Sequence, residues 1–259
     1  MRLHPAVLAR TALFLAALGA AAPREARTAA APPADPKAVA VADQVMQSLG
    51  GAEAWNGVHY LRFDFAVDRG GKTLVRRAHT WDKWTGQYRF EATSKEGDAI
   101  VVLMNVNTRE GSAFVKGKKV EGEGLKKHLD DAYASWVNDT YWLVMPYKMK
   151  DPGVVLAYDG AETKGSDTWD KVRLTFDNVG LTPKDRYWVF VNRKTGMVDS
   201  WEFVLKGESK PPSVFAWKNW KAYGKVKLAD DRVSPDGTRI YFPVLETPES
   251  VPKTAFTAP

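Results

Sequence analysis

The sequence predicts an α+β protein that is mainly β, a single curved antiparallel sheet of about ten or eleven strands embracing three short helices. Three observations carry that prediction. Apolar residues alternate with period two through most of the chain beyond residue 60, turn signals built on Gly, Asp and Asn separate the alternating runs, and the helical period appears only near residues 38–49 and 125–145. No long repeat and no Gly/Ser linker interrupts residues 37–259, so one domain holds them all.

Residues 1–22 have the layout of a secretory signal peptide. Arg2, His4 and Arg10 stand ahead of an apolar stretch, Leu13-Phe14-Leu15-Ala16-Ala17-Leu18, and small residues follow from Gly19 to Ala22. The stretch is shorter than the roughly 20 residues a membrane span needs, so the expected mature protein is soluble, with a noncleaved anchor as the alternative because the cleavage point is ambiguous between Ala20 and Ala31. Residues 23–36, rich in Pro and Ala, read as a disordered leader. Residues 1–31 carry Arg2, Arg10, Arg24 and Arg27 against Glu25, so half of the formal charge of +6 belongs to this N-terminal part.

The first ordered element opens at Asp35-Pro36, an N-cap acid with proline at the first helical position, and Gly50-Gly51 closes it. Ala38, Ala42, Val45 and Leu49 fall on one face, giving a helix of about four turns that packs on a sheet. From residue 60 Leu61, Phe63, Phe65 and Val67 alternate with polar neighbours, residues 69–72 turn the chain, and 74–81 supply the hairpin partner. Trp84-Thr85-Gly86 turns again before Tyr88, Phe90 and Ala92. Residues 100–106 are apolar on both faces, which predicts a central strand covered on both sides. The cover is the segment 125–145, where Leu125, Leu129, Ala132, Trp136 and Val137 recur at helical spacing in what reads as two short helices. Strands resume near Val154 and continue through 172–176, 187–191, 201–205, 215–220, 224–228 and 240–244.

This order of parts, together with Ala52-Glu53-Ala54-Trp55 after the first helix and Trp142-Leu143-Val144-Met145-Pro146 ending the helical insertion, resembles the LolA/LppX-like superfamily. The strand-turn-strand around Asn192-Arg193-Lys194-Thr195-Gly196 and the late Trp220-Lys221-Ala222-Tyr223-Gly224 are similar as well. The likeness spans residues 37–259. It implies an unclosed antiparallel β-barrel, with a leading helix and a helical insertion covering the concave face. It also implies a periplasmic or cell-envelope location and the carriage of lipids or lipid anchors in an apolar cavity.

The residues themselves exclude much chemistry. With no Cys there are no disulfides, thiolate metal sites, cysteine nucleophile or lipid-anchored N-terminal cysteine. His59, His79 and His128 sit on separate elements without HxH or HExxH spacing, so no metal site is expected. GxSxG, P-loop and GxGxxG patterns are absent, and no catalytic residue or cofactor is assigned. Asp130-Asp131 and Asp230-Asp231 are sequence neighbours whose side chains diverge on a strand or a helix, so they read as solvated surface. Asn138-Asp139-Thr140 fits a glycosylation sequon, but its place between two expected helices makes it a cap. Lys116, Lys118 and Lys119 stand among Glu110, Glu121 and Glu123, giving no stripe to follow a phosphate backbone, and nucleic acid is not an expected partner.

Ten Trp, nine Tyr and eleven Phe are the one constellation above background. The candidate ligand-binding set comprises Phe63, Phe65 and Leu103 on strands, Trp136, Tyr141, Trp142 and Met145 on the helical insertion, and Trp201 and Phe203 as a facing wall, for which Leu205 is a further candidate. Alternation alone buries strand aromatics in any barrel. The insertion, however, is too rich in them for one helical stripe and points to a cavity or groove. Arg76-Arg77 reads as an ordinary strand pair, with contact to an anionic headgroup as its functional alternative. The leading expectation is a carrier or sensor, not an enzyme, that holds a lipid or other apolar small molecule and meets an envelope lipoprotein or membrane partner. Its alternative is a noncatalytic scaffold with a packed interior. A carboxylate hydrolase would require two acids converging in one cleft.

Overall fold

The protein, seen in a computed structural model, is described over residues 35–177 and 179–259. The expected signal peptide, and all but the last two residues of the expected leader, lie outside the described residues. Helix α1 (Pro36–Ser48) begins where the cap requires: the Asp35 carboxylate accepts from the backbone N–H of Lys37 at 2.9 Å and of Ala38 at 3.3 Å. Its other oxygen accepts from the Tyr158 N–H at 2.9 Å, fastening the helix start to the sheet and holding this carboxyl below its ordinary pKa. Ala38, Val41, Ala42 and Val45 form the buried stripe. Gly50 stops the helix at φ +116°, and a Cβ there would run into the Lys225 carbonyl oxygen. A second, short helix α2 (Gly51–Gly57) follows.

Strands β1 (Tyr60–Arg69), β2 (Lys72–Asp82), β3 (Gln87–Thr93), β4 (Ala99–Asn105), β5 (Gly111–Val115) and β6 (Lys118–Val120) form one antiparallel meander. Strands β7 (Val154–Lys164), β8 (Asp167–Phe176), β9 (Arg186–Asn192), β10 (Val198–Val204), β11 (Ser213–Tyr223), β12 (Val226–Val233) and β13 (Arg239–Tyr241) form another. β1 pairs with β13, and with the short β14 (Leu245–Glu246) further along, so the meanders join into one 14-stranded sheet with β6 and β7 at its ends. The barrel is therefore unclosed. Helix α3 (Gly122–Val144) leaves one end of the sheet and returns the chain to the other, crossing the concave side. Its 23 residues make it about 34 Å long.

A 3-10 turn (Met145–Lys148) ends this crossing and is fixed by Tyr147. That hydroxyl accepts from the Lys227 N–H at 3.1 Å and has its one proton to share between the carbonyl oxygens of Lys227 and Leu49, 2.7 Å and 2.9 Å away. The ring stacks on Trp55 at 4.4 Å.

Three expectations are corrected. The segment 125–145 is one long helix rather than two short ones, because the polar trio 138–140 in its last two turns does not cap. Asp139 turns its carboxylate to the sheet, and the Thr140 hydroxyl donates to the Trp136 carbonyl one turn back, so the helix runs through. The strands number 14 because the short pair β5 and β6 is added and the final run divides into β13 and β14. Strand β4 is third from an end rather than central. It is nevertheless buried at Val102, Leu103 and Met104: α3 lies over the first and third, and on the opposite face Arg89, the partner of Leu103, donates to the Ala258 carbonyl of the C-terminal segment.

The interior is in two parts. The larger cluster joins α1, β1, β7–β13 and the C-terminal end of α3, whereas the smaller joins β3–β5 to the N-terminal half of α3. Trp81 packs against both.

Candidate functional site

Period two decides which strand residues face the concave side. On β1 and β2 these are Phe63 and Phe65, then Arg77, His79 and Trp81; on β10 and β11, Trp201, Phe203, Phe215 and Trp217. Above them, residues 141 and 142 of α3 project from the helix end nearest the 3-10 turn. Trp142 sets its ring edge-on against Trp201 at 4.6 Å, Phe215 at 4.9 Å and Phe203 at 5.7 Å. Tyr141 meets Tyr187 at 5.4 Å and Trp201 at 6.0 Å. Trp201 is only 1% exposed, yet Tyr141 and Trp142 are half-buried. These are ordinary edge-to-face geometries, and the space under the helix end is occupied by rings.

Of the nine candidate ligand-binding residues, the structure brings Tyr141, Trp142, Trp201 and Phe203 into direct mutual contact. Met145 is fully buried in the same cluster. Phe63 and Phe65 face the same side further along, each edge-on to Phe242 at 5.8 Å and 5.9 Å. Trp136 belongs to the smaller cluster, edge-on to Trp81 at 5.3 Å. Leu103 lies on the opposite face of the sheet and meets none of the others.

Where the two clusters meet, a polar chain crosses from sheet to helix. The Arg77 Nη2 donates to Asp139 Oδ1 at 2.8 Å, the other Asp139 oxygen lies 3.0 Å from His79 Nε2, and His79 Nδ1 is 2.7 Å from the Tyr88 hydroxyl. The carboxylate is thus close to Nε2 without a formed hydrogen bond, whereas Nδ1 and the Tyr88 hydroxyl are hydrogen-bonded to each other. Burial pushes the Tyr88 phenol well up, Asp139 adding to this and Arg77 opposing, so the hydroxyl stays a donor. The His79 ring stacks on Phe63 at 4.4 Å. Asp139 is 0% exposed. Sequence reasoning reads His79 as an isolated ring and Asp139 as a cap, and treats Arg76 and Arg77 as a pair. In fact they point to opposite faces, Arg76 to Asp64 at 2.9 Å and Arg77 inward.

The acids assigned to solvated surface diverge as expected. Asp130 and Asp131 pair with Lys126 and Lys127 one turn away, Asp230 accepts from Asn219, Lys221 and Tyr223, and Asp231 accepts from Arg239. Among the described residues no group of three or more His, Asp or Glu is placed to hold a metal, and no helix is long and apolar enough to cross a membrane. A shallow outer depression of about 820 Å³ is lined by opposed charges, Lys171 with Glu162 and Glu202, and Arg173 with Asp159.

No protein-family model matches the chain, and no curated protein matches it in sequence. Among solved structures it is similar to a DUF1329 family protein from Desulfovibrio piger, at 10% identity and a TM-score of 0.49, over 85% of this chain and 96% of that one. It is similar to a LolA superfamily protein from Nitrosomonas europaea at 10% identity and a TM-score of 0.49, over 85% and 97%. It is also similar to an outer membrane lipoprotein-sorting protein domain from Vibrio parahaemolyticus at 8% identity and a TM-score of 0.47, over 85% and 96%.

Proposed function

We propose that the concave face binds an apolar ligand, a lipid chain being the simplest, beneath α3, and that the protein acts as a noncatalytic carrier or sensor in the cell envelope. One observation carries this reading. The helix crosses from one end of the sheet to the other and meets it through side chains alone, with half-buried aromatics at the contact. Such a cover can part from the sheet without breaking a strand ladder. At about 0.8 kcal/mol per buried methylene, an acyl chain of a dozen carbons gains about 10 kcal/mol before ordering costs. The signal-peptide layout of residues 1–22 supports the envelope location.

A packed scaffold is the second reading, favoured by the rings that fill the space under Trp142. Native mass spectrometry of protein secreted to a periplasm, followed by solvent extraction, separates the two. The carrier reading expects a stoichiometric lipid adduct, and Trp142→Ala is expected to lose most of it while keeping its circular-dichroism spectrum. A clean protein that also refuses fluorescent fatty acids and phospholipids leaves the scaffold reading standing.

A further inference from the structure

Arg232, on β12, is 0% exposed and, among the described residues, pairs with no carboxylate. Its Nη1 donates to the Ala229 carbonyl at 2.6 Å, while Nε and Nη2 are buried without a hydrogen-bond partner among the described protein atoms. The guanidinium lies over Trp217 at 3.9 Å and beside Phe242 at 5.1 Å, inside the larger cluster. Asp230 and Asp231, its sequence neighbours, are occupied by other donors. Burial pushes the Arg232 pKa down to about 9, with those two acids pulling the other way, so the group is charged at neutral pH.

The neighbours repeat the pattern. Trp217 Nε1 and Trp201 Nε1 are buried and unpartnered, and their rings are 5.3 Å apart. The Tyr141 hydroxyl, next in line against Trp201, is unpartnered too, and burial keeps it protonated. A contiguous run of side chains, Arg232, Trp217, Trp201 and Tyr141, thus presents donors, beginning with a full positive charge. The missing group is an acceptor, and the charge makes it an anion.

Building on the apolar-ligand reading above, we propose that this run binds the oxyanion head of a single-chain amphiphile, a carboxylate or a phosphate monoester, with Arg232 as its charged anchor. The adjoining Trp217 indole gives a further hydrogen bond, and the alkyl chain lies along the run toward Trp201 and against the ring of Trp142. A buried unpaired cation is costly in a merely structural role. A bound oxyanion satisfies the guanidinium fork and neutralises its charge.

The test uses the delipidated mature protein and three probes of equal chain length, palmitate, hexadecyl phosphate and hexadecanol, titrated below micelle-forming concentrations. At least one anion is expected to bind about tenfold or more tightly than the alcohol. Which anion leads distinguishes a carboxylate head from a phosphate head. Arg232→Met is expected to erase the preference while keeping alcohol affinity within about threefold, and Arg232→Lys to keep part of it. Should Arg232→Met fail to fold, Trp217→Phe, which keeps a ring and loses the donor, is expected to weaken anion binding alone. Equal affinity for anions and alcohol, or a preference that survives in Arg232→Met, overturns the anion site and leaves the apolar-ligand reading standing. Failure of all three probes to bind overturns both.

Discussion

Asp139 shows how one side chain couples the helix to the sheet. It has no solvent exposure and faces Arg77 and His79 across the join between the two apolar clusters. Removing one partner of a buried pair leaves the others uncompensated, so Asp139→Ala is expected to destabilise the fold by about 3–5 kcal/mol in denaturant unfolding. The double variant Arg77→Met, Asp139→Leu is expected to recover most of that loss, because apolar replacement of both partners removes the desolvation cost as well. A single variant as stable as wild type would show the contact to be dispensable. None of this was legible in the sequence. Asp139 lies 62 positions from Arg77, and its flanking Asn138 and Thr140 have the composition of a helix boundary. Arg232 was hidden for a similar reason, since Asp-Asp-Arg reads as a solvated run and only the concave packing of Trp217 and Phe242 removes it from water. The aromatic group was more accessible: Tyr141 and Trp142 exceed one helical stripe, and Trp201 and Phe203 alternate on a strand, so two periodicities made them candidates to face each other, although only the fold brings them into contact.

At the level of elements, the strongest predictions came from residues that act locally. Asp35-Pro36 started α1 where expected, and the alternation through Leu61, Phe63, Phe65 and Val67 placed β1 with its inner face correctly assigned. Gly50 is the clearest of the local terminators. Its φ of +116° disfavours an L side chain, and the Lys225 carbonyl oxygen occupies the position a Cβ would take. Gly50→Ala is therefore expected to cost about 1–3 kcal/mol, read as a lowered unfolding midpoint at unchanged m-value. An unchanged midpoint would mean that the turn relaxes freely. The elements missed were those whose existence depends on neighbours. Strand β6 has three residues, two of them exposed lysines, and carries no periodic signal, since only pairing with β5 defines it. Likewise α3 outlasts its polar trio 138–140 because the sheet, and not the helix, satisfies Asp139.

Across the whole molecule, the sheet is two local meanders joined at β1 and β13, strands from near opposite ends of the described chain. Their internal pairings are short in sequence, whereas the β1–β13 pairing closes a loop of about 170 residues and forms at a high entropic cost. The helix is held unevenly over this sheet. At its first turn Glu121 gives no side-chain cap, and Gly122 and Gly124 lie in the opening turn, above the smaller cluster. At its last turn the rings of Tyr141 and Trp142, then the Tyr147 hydroxyl, bind it to the larger cluster. Hydrogen exchange is accordingly expected to reach amides 123–135 well before 140–148 and the strands β1 and β10. Uniform protection along the helix would contradict this gradient. The anchored end also has a mechanical meaning. With Tyr147 as fulcrum, α3 is a lever arm of about 34 Å, and a tilt of about 10° would lift its far tip by about 6 Å while drawing Asp139 about 2 Å away from Arg77 and His79, so that buried contact is the latch such a motion must release.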